Sequence, residues 1–394
     1  MLLSIGTSAR SQICAALLVT LAMSTGTAPI AWSYKTGNYS WAVAVSHDGR
    51  YVIAGSDDMR TYFFDAGSVD GKPLWVHDAS GYVRHVAISR DGTYAAAGDT
   101  SGSIFFFRSR VLGETASVFV TGYSIDALVM SDDGGYLVGG DRRGMIYVFR
   151  TDEMDFPLWQ YAIPGSVMAL SLSHSGVLAA TSSHGGLYFF GEVAIQSGYI
   201  WIFRNQTSFP FVSVSQDGSY IVVGGSDGYV YLLNRSGEQA GRQRIGGAVS
   251  ALSLSSTEHR AVAGSTNGNL SIYEVKGGLV VVKSVATHGP VTSAVISDNG
   301  ERVSVANLDG TISLFERSLE GPLWTFNAGA IVHSISMSDS GLAIAAASDT
   351  GSIHLFSEEK SKTADDTMPT IALFSAASAT LLLSYLVWRR RRQR

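Results

Sequence analysis

One tetrapeptide pattern, Ser-x-Asp-Gly, returns along this chain at a nearly constant step, and that step limits what the chain can fold into. It reads SHDG from Ser46, SRDG from Ser89, SDDG from Ser131, SHSG from Ser173 and SQDG from Ser215. A worn copy, SSTE, begins at Ser255, and SDNG from Ser297 and SDSG from Ser338 follow. Successive copies lie 43, 42, 42, 42, 40, 42 and 41 residues apart. Strand-like segments repeating at this period predict a β-propeller with one blade per repeat.

Two further residues keep the same register. Fourteen positions before the Ser stands Trp32, Trp75, Trp159, Trp201 or Trp324 in five of the eight repeats. Thirteen positions after it stands a Gly in seven: Gly102, Gly144, Gly186, Gly228, Gly268, Gly310 and Gly351. The first repeat has Met59 there. These marks cut each repeat into four short strands. In the second repeat they are Pro73–Val76, Val86–Ile88, Tyr94–Ala97 and Ile104–Phe107, rich in aromatic and β-branched residues. Ser and Asp of the tetrapeptide bond nearby backbone, and its Gly tolerates positive φ, so the motif reads as a turn.

The strand before the tetrapeptide alternates large and small residues, as in Val43-Ala44-Val45 and Ile335-Ser336-Met337. Period-two alternation places them on opposite faces. This strand is expected to be innermost in each blade, with small residues crowded near the axis. Trp32 begins the first strand set and Ile353–Phe356 ends the last. The N-terminal strand is therefore expected to complete the last blade. The expected fold class is all-β, an eight-bladed β-propeller closed between its N- and C-terminal strands, followed by a C-terminal transmembrane helix. A seven-bladed ring with one repeat outside is the alternative count.

The segment HGPVTSAVISDNGERVSVANLDGTISLF, from His288 to Phe315, resembles a WD-repeat blade, although the terminal Trp-Asp pair is absent from every repeat. The recurring PLW and the G-x-I segments are similar to those of bacterial and archaeal quinoprotein-like (PQQ-like) propellers. The resemblance spans roughly residues 30 to 357, and implies fold more than function.

The two ends imply an exported, membrane-anchored protein. Residues 1–28 carry Arg10, an apolar run from Ile13 to Met23 and then small residues, the layout of a secretory signal peptide cleaved after Ser24 or Gly26. An uncleaved anchor is the alternative. The propeller is assigned to 29–357 and a polar stalk to 358–369. Residues 370–388 carry no charge and suffice for one bilayer crossing. The basic tail 389–394, with five arginines, is expected to stay cytoplasmic and leave the propeller outside, at the cell surface. The same layout resembles the sorting tails of some surface proteins. The only cysteine, Cys14, lies in the leader, so a disulfide framework is excluded. Asn38, Asn205, Asn234 and Asn269 head Asn-x-Ser/Thr sequons and are candidate glycosylation sites.

From Pro29 to Ser357 there are 20 Lys and Arg against 29 Asp and Glu, a net charge of −9. That balance argues against nucleic acid as a partner, which needs a basic surface. No H-E-x-x-H, C-x-x-C, phosphate loop or G-x-S-x-G occurs, and the alternating Asp/Asn spacing of a calcium loop is missing. We therefore expect no cofactor, metal or catalytic residue. Quinoprotein alcohol dehydrogenases pair vicinal cysteines with calcium, and those cysteines are absent.

Loops that join the Trp strand to the inner strand are expected to share one face with the hairpins before the marker Gly. Together they collect Tyr39, Trp41, Asp57, Asp58, Arg60, His77, Tyr82, Arg84, Tyr123, Asp141, Arg142 and Arg143, with His184 and His288 on later blades. Blade one breaks the Gly rule with DDMR and blade three carries DRRG. Departures from a consensus that satisfies the fold mark candidate sites, and Tyr, Trp and Arg anchor protein interfaces. The reading is a non-catalytic binding or scaffold module for a protein or glycan partner. A quinoprotein-like redox enzyme and a structural cell-envelope component are the alternatives.

Overall fold

The computed structural model describes residues 26–109, 117–193, 198–255 and 257–358. The stretches assigned to the transmembrane helix and basic tail, and most of those assigned to the leader and stalk, lie outside these residues. Among the described residues no helix is long and apolar enough to cross a membrane.

Four-stranded antiparallel sheets repeat around a ring of eight blades. Blade 1 comprises Ser40–Val45, Tyr51–Ser56, Arg60–Asp65 and Trp75–Asp78, from the axis outward. The inner strands of blades 2 to 8 are Val83–Ile88, Ile125–Met130, Val167–Leu172, Phe211–Val214, Val249–Leu254, Val291–Ile296 and Val332–Met337. All precede the tetrapeptide, as expected. Blade 8 is completed by Ile30–Lys35, paired antiparallel with Ser352–Ser357. The chain thus closes its ring with its first long strand, which covers the edge of Ser352–Ser357. Gly26–Thr27 adds a short fifth strand, parallel to Pro322–Asn327 on blade 7.

The tetrapeptide builds the turn between the two innermost strands. Ser46 Oγ donates to Asp48 Oδ1 at 2.5 Å and accepts the Tyr51 N–H at 3.0 Å. Ser131 and Ser215 repeat both bonds, to Asp133 and Tyr136 and to Asp217 and Tyr220. Burial opposes the charge of Asp217, but bonds from Ser215 and Ser219 outweigh it and pull its pKa down to about 2. In blade 4 the return bond comes from Val177, four residues after Ser173 rather than five. The shorter turn shifts the hairpin by one. Gly185, with φ +81°, holds the left-handed position there, whereas Gly186 opens the strand Gly186–Glu192.

Large residues fill the spaces between blades in separate clusters, each drawn from two adjacent sheets. The Trp series docks blade on blade. Trp75 stacks on Phe63 of its own blade at 5.0 Å and lies 4.8 Å from Phe107 of the next. Its indole N–H donates to Ser109 O, 34 residues on. Trp32, Trp159 and Trp201 make the same bond to Ala66, Val193 and Arg235. The small residues near the axis also bind. Val45 N–H donates to Ser336 Oγ across the blade 1–8 boundary at 2.9 Å, and Val214 N–H to Ser171 Oγ across blades 5 and 4 at 3.0 Å. An innermost strand would otherwise leave such N–H groups unpaired.

Candidate binding face and axial mouths

In every blade the N–H at the second hairpin donates to a carbonyl of the loop entering the inner strand. Asp57 N–H reaches Tyr39 O, Thr100 reaches Tyr82 O, Arg142 reaches Ser124 O and Asp349 reaches Ile331 O, all within 2.8 to 3.0 Å. The two loop sets therefore share one face, here the loop face. The tetrapeptide turns form the opposite, turn face.

The structure gathers part of the expected group around the axis of the loop face. Trp41 of blade 1 is stacked on His333 of blade 8, with ring centroids 3.9 Å apart. Arg84 of blade 2 also lies over this ring, its Cζ 4.7 Å from the Trp41 centroid and 5.5 Å from that of Tyr82. Asp57 Oδ1 and Oδ2 accept from Arg84 Nε and Nη2 at 3.2 and 3.0 Å. His333 is held by Asp349 of its own blade. Trp41, Arg84, His333 and Asp126 each stand five residues before their tetrapeptide Ser, so the same register point on blades 8, 1, 2 and 3 forms a continuous polar and aromatic arc. Blades 4 to 7 have Met168, Pro210, Ser250 and Thr292 there. Sequence reasoning found Trp41 and Arg84 but missed His333 and Asp126.

Other expected residues serve the loops themselves. Asp58 accepts the Gly37 N–H and the Tyr62 hydroxyl. Asp141 is fully buried and accepts the N–H groups of Arg143 and Met145 and the Tyr147 hydroxyl. Arg142 forms a two-pronged pair with Asp126 at 3.0 and 3.2 Å. Arg60 and His77 lie away from the mouth. Arg60 pairs with Asp78 on the outer strand, and His77 packs edge-on against Phe105 and Phe107, where burial lowers its pKa. Tyr39, Tyr82 and Tyr123 project from successive blades, 49%, 40% and 42% exposed, and Arg143 covers the Tyr123 ring at 3.5 Å. Among the sequon residues, Asn38 and Asn205 are exposed, while Asn234 and Asn269 are half-buried. Asn269 Nδ2 donates to Ile245 O.

Met59 occupies the marker position with φ +65°, where the other blades use Gly at φ between +77° and +97°. A Cβ at Gly144 would lie 2.1 Å from Ile163 O, so the consensus Gly also lets the next loop pack closely. Met59 instead projects, 43% exposed. A left-handed L-residue costs about 1–2 kcal/mol, partly returned by the lower unfolded-state entropy relative to Gly. Met59→Gly is expected to stabilise the propeller by about 0.5–1 kcal/mol, readable in urea unfolding. An equal or lower midpoint would show that Met59 makes compensating contacts.

A second convergence occupies the turn face. It is made by the variable second residue of the tetrapeptide, whose motif sequence reasoning reads only as a turn former. His47 Nδ1 lies 2.7 Å from Asp339 and 3.8 Å from Asp298, and its Nε2 is 4.0 Å from Asp132. Arg90 bonds Asp339 and lies 3.5 Å from Asp132 and 3.7 Å from Asp298. His174 Nδ1 is 3.1 Å from Asp132. His47, Arg90, Asp132, His174 and Asp339 line a cavity of about 560 Å³. Between the mouths, burial lowers the pKa of His85 to about 4, which keeps it neutral at physiological pH.

Four segments, residues 34–65, 71–108, 200–234 and 280–316, match the family model described as WD domain, G-beta repeat. They fall on blades 1, 2, 5 and 7. Together with the eight-bladed ring they support the WD-repeat propeller family. No curated protein matches the sequence. Solved structures of similar fold include Sqt1 from Chaetomium thermophilum bound to the N-terminus of the ribosomal protein L10, with 16% identity and a TM-score of 0.72, covering 84% of this chain and 100% of that one. Sqt1 from Saccharomyces cerevisiae has 12% identity and a TM-score of 0.72, covering 84% and 99%. The computationally designed Ika8 protein has 17% identity and a TM-score of 0.70, covering 84% and 100%.

Proposed function

We propose that this WD-repeat propeller is a non-catalytic scaffold that binds a protein partner on its loop face, over blades 8, 1, 2 and 3. One observation carries the reading: within a repeat that the fold satisfies with small or turn-forming residues, this sector alone sets Trp41 against His333 and Arg84. Three exposed tyrosines flank that stack. Aromatic residues and Arg around a rigid centre are the usual composition of protein-binding hot spots. The carboxylates nearest the stack are already bonded, Asp57 to Arg84, Asp126 to Arg142 and Asp349 to His333, so they orient these side chains. A propeller of similar fold holding the N-terminus of another protein supports the same use of the ring. Removing the exposed tyrosines should weaken partner binding and leave the fold intact.

The proposal extends to location. The leader-like 1–28, the uncharged 370–388 and the arginine tail support a propeller held outside the membrane by its C-terminal segment. Truncation after Glu358 is expected to move the protein from the alkali-resistant membrane fraction to the soluble fraction. A full-length chain that alkaline carbonate already extracts would overturn the anchor.

A further inference from the structure

The second residues of the tetrapeptides do not touch within their own repeats. They meet across the axis. Arg90 of blade 2 reaches Asp298 of blade 7 and Asp339 of blade 8, and His47 of blade 1 reaches Asp132 of blade 3 as well as the same two carboxylates. Backbone bonds run between the same turns: Asp339 N–H to His47 O at 3.0 Å, His47 N–H to Arg90 O at 2.9 Å and Arg90 N–H to Asp132 O at 2.8 Å. The span from blade 7 to blade 3 includes the seam where Ile30–Lys35 closes blade 8.

Carboxylates outnumber cations at this mouth, and His47 stands among three of them. Three axial carboxylates, Asp132, Asp298 and Asp339, face one permanent cation, Arg90, and two imidazoles, His47 and His174. A charged His47 bonds Asp339 and faces Asp298 and Asp132. A neutral His47 leaves Arg90 as the cation that reaches all three of these groups. The other acidic groups lining the mouth, Asp48, Asp91 and Asp133, are bonded within their own turns to Ser46, Ser89 and Ser131. They add negative potential at the mouth.

We propose that the turn mouth is a proton-operated clasp, in which protonation of His47 draws the turns of blades 1 to 3 onto those of blades 7 and 8 and deprotonation loosens the ring at its seam. Histidine is the side chain that changes charge in this range. Burial opposes the charge of His47, but Asp339, Asp132 and Asp298 outweigh it and raise its pKa. A raised histidine pKa gives stability that is complete below the ordinary value and lost as pH rises through the folded value. For Asp339, burial is outweighed by His47, by a hydrogen bond from Asp298 and by the charge of Arg90, which together lower its pKa. Its contribution is complete above the ordinary carboxylate value and lost as pH falls through the folded one. The clasp is therefore tightest in mildly acidic solution and weaker on both sides.

The test is amide hydrogen exchange of the full chain in detergent, corrected for the intrinsic pH dependence of exchange. Protection of the His47, Arg90 and Asp339 amides is expected to be at least about threefold higher at pH 6 than at pH 8.5. In His47→Gln the difference is expected to vanish. Equal wild-type protection at both pH values overturns the clasp, as does a difference that survives in the variant. Should the variant fail to fold, titration of the His47 ring protons in the wild-type chain decides: a pKa at or below the ordinary histidine value overturns the proposal.

Discussion

Trp32→Ala is expected to lower the unfolding free energy by about 3–5 kcal/mol, the usual cost of removing a buried aromatic from a packed core. Trp32 is 5% exposed and lies on the strand that closes blade 8. It stacks on Phe64 of blade 1 at 4.9 Å and donates its indole N–H to Ala66 O at 3.2 Å. The backbone at Gly71, in the left-handed region at φ +62°, lies so near that a Cβ there would come within 2.9 Å of the Trp32 Cβ. The surroundings are thus shaped to the indole and cannot collapse without moving a blade. Because this strand fastens the two ends of the ring, its loss should also expose a sheet edge. Urea unfolding checks the magnitude, and faster exchange along Ile30–Lys35 checks the location. A cost below about 1 kcal/mol would mean that the seam does not depend on this residue.

Replacing Tyr39, Tyr82 and Tyr123 together with alanine is expected to weaken partner binding by about 2–4 kcal/mol, roughly 30- to 1000-fold. Their exposure makes them better probes than Trp41 or Arg84, whose removal would disturb the stack with His333 and the pair with Asp57. The triple variant should unfold within about 0.5 kcal/mol of the parent, as exposed substitutions generally do. Binding titration beside urea unfolding separates the two effects. Unchanged affinity would remove the loop face from the proposal. Equal loss of stability and binding would reassign the tyrosines to the fold.

The architecture was legible because the repeat carries it locally. Each Ser–Asp turn and each strand lies within a few dozen residues, and the Trp and Gly marks fix the register. The exceptions have local causes. In blade 4 a turn one residue shorter moves the left-handed position from Gly186 to Gly185. The pairing of Gly26–Thr27 with blade 7 had no periodic signal. The site was less legible because contacts at an axis join residues far apart in sequence. Trp41 and His333 are 292 positions apart. Their common place, five residues before the tetrapeptide Ser, was the available signal. The turn motif concealed more. Its Ser and Asp satisfy the backbone, so attention to the constant positions hid His47, Arg90, Asp132, His174, Asp298 and Asp339 at the variable one. Conversely, Asp58 and Asp141 depart from no structural need, since each holds loop backbone together.

The central claim is that a protein partner docks on the loop face over blades 8 to 3. Site-specific photo-crosslinking in native membranes tests it most directly, with the photoreactive residue at position 82 of the full chain and, in parallel, at position 69. Val69 is 98% exposed on the opposite face of blade 1. The account predicts a discrete protein adduct from position 82 that Tyr39→Ala with Tyr123→Ala diminishes, and none from position 69. The same adduct from position 69, or none from position 82, would contradict it.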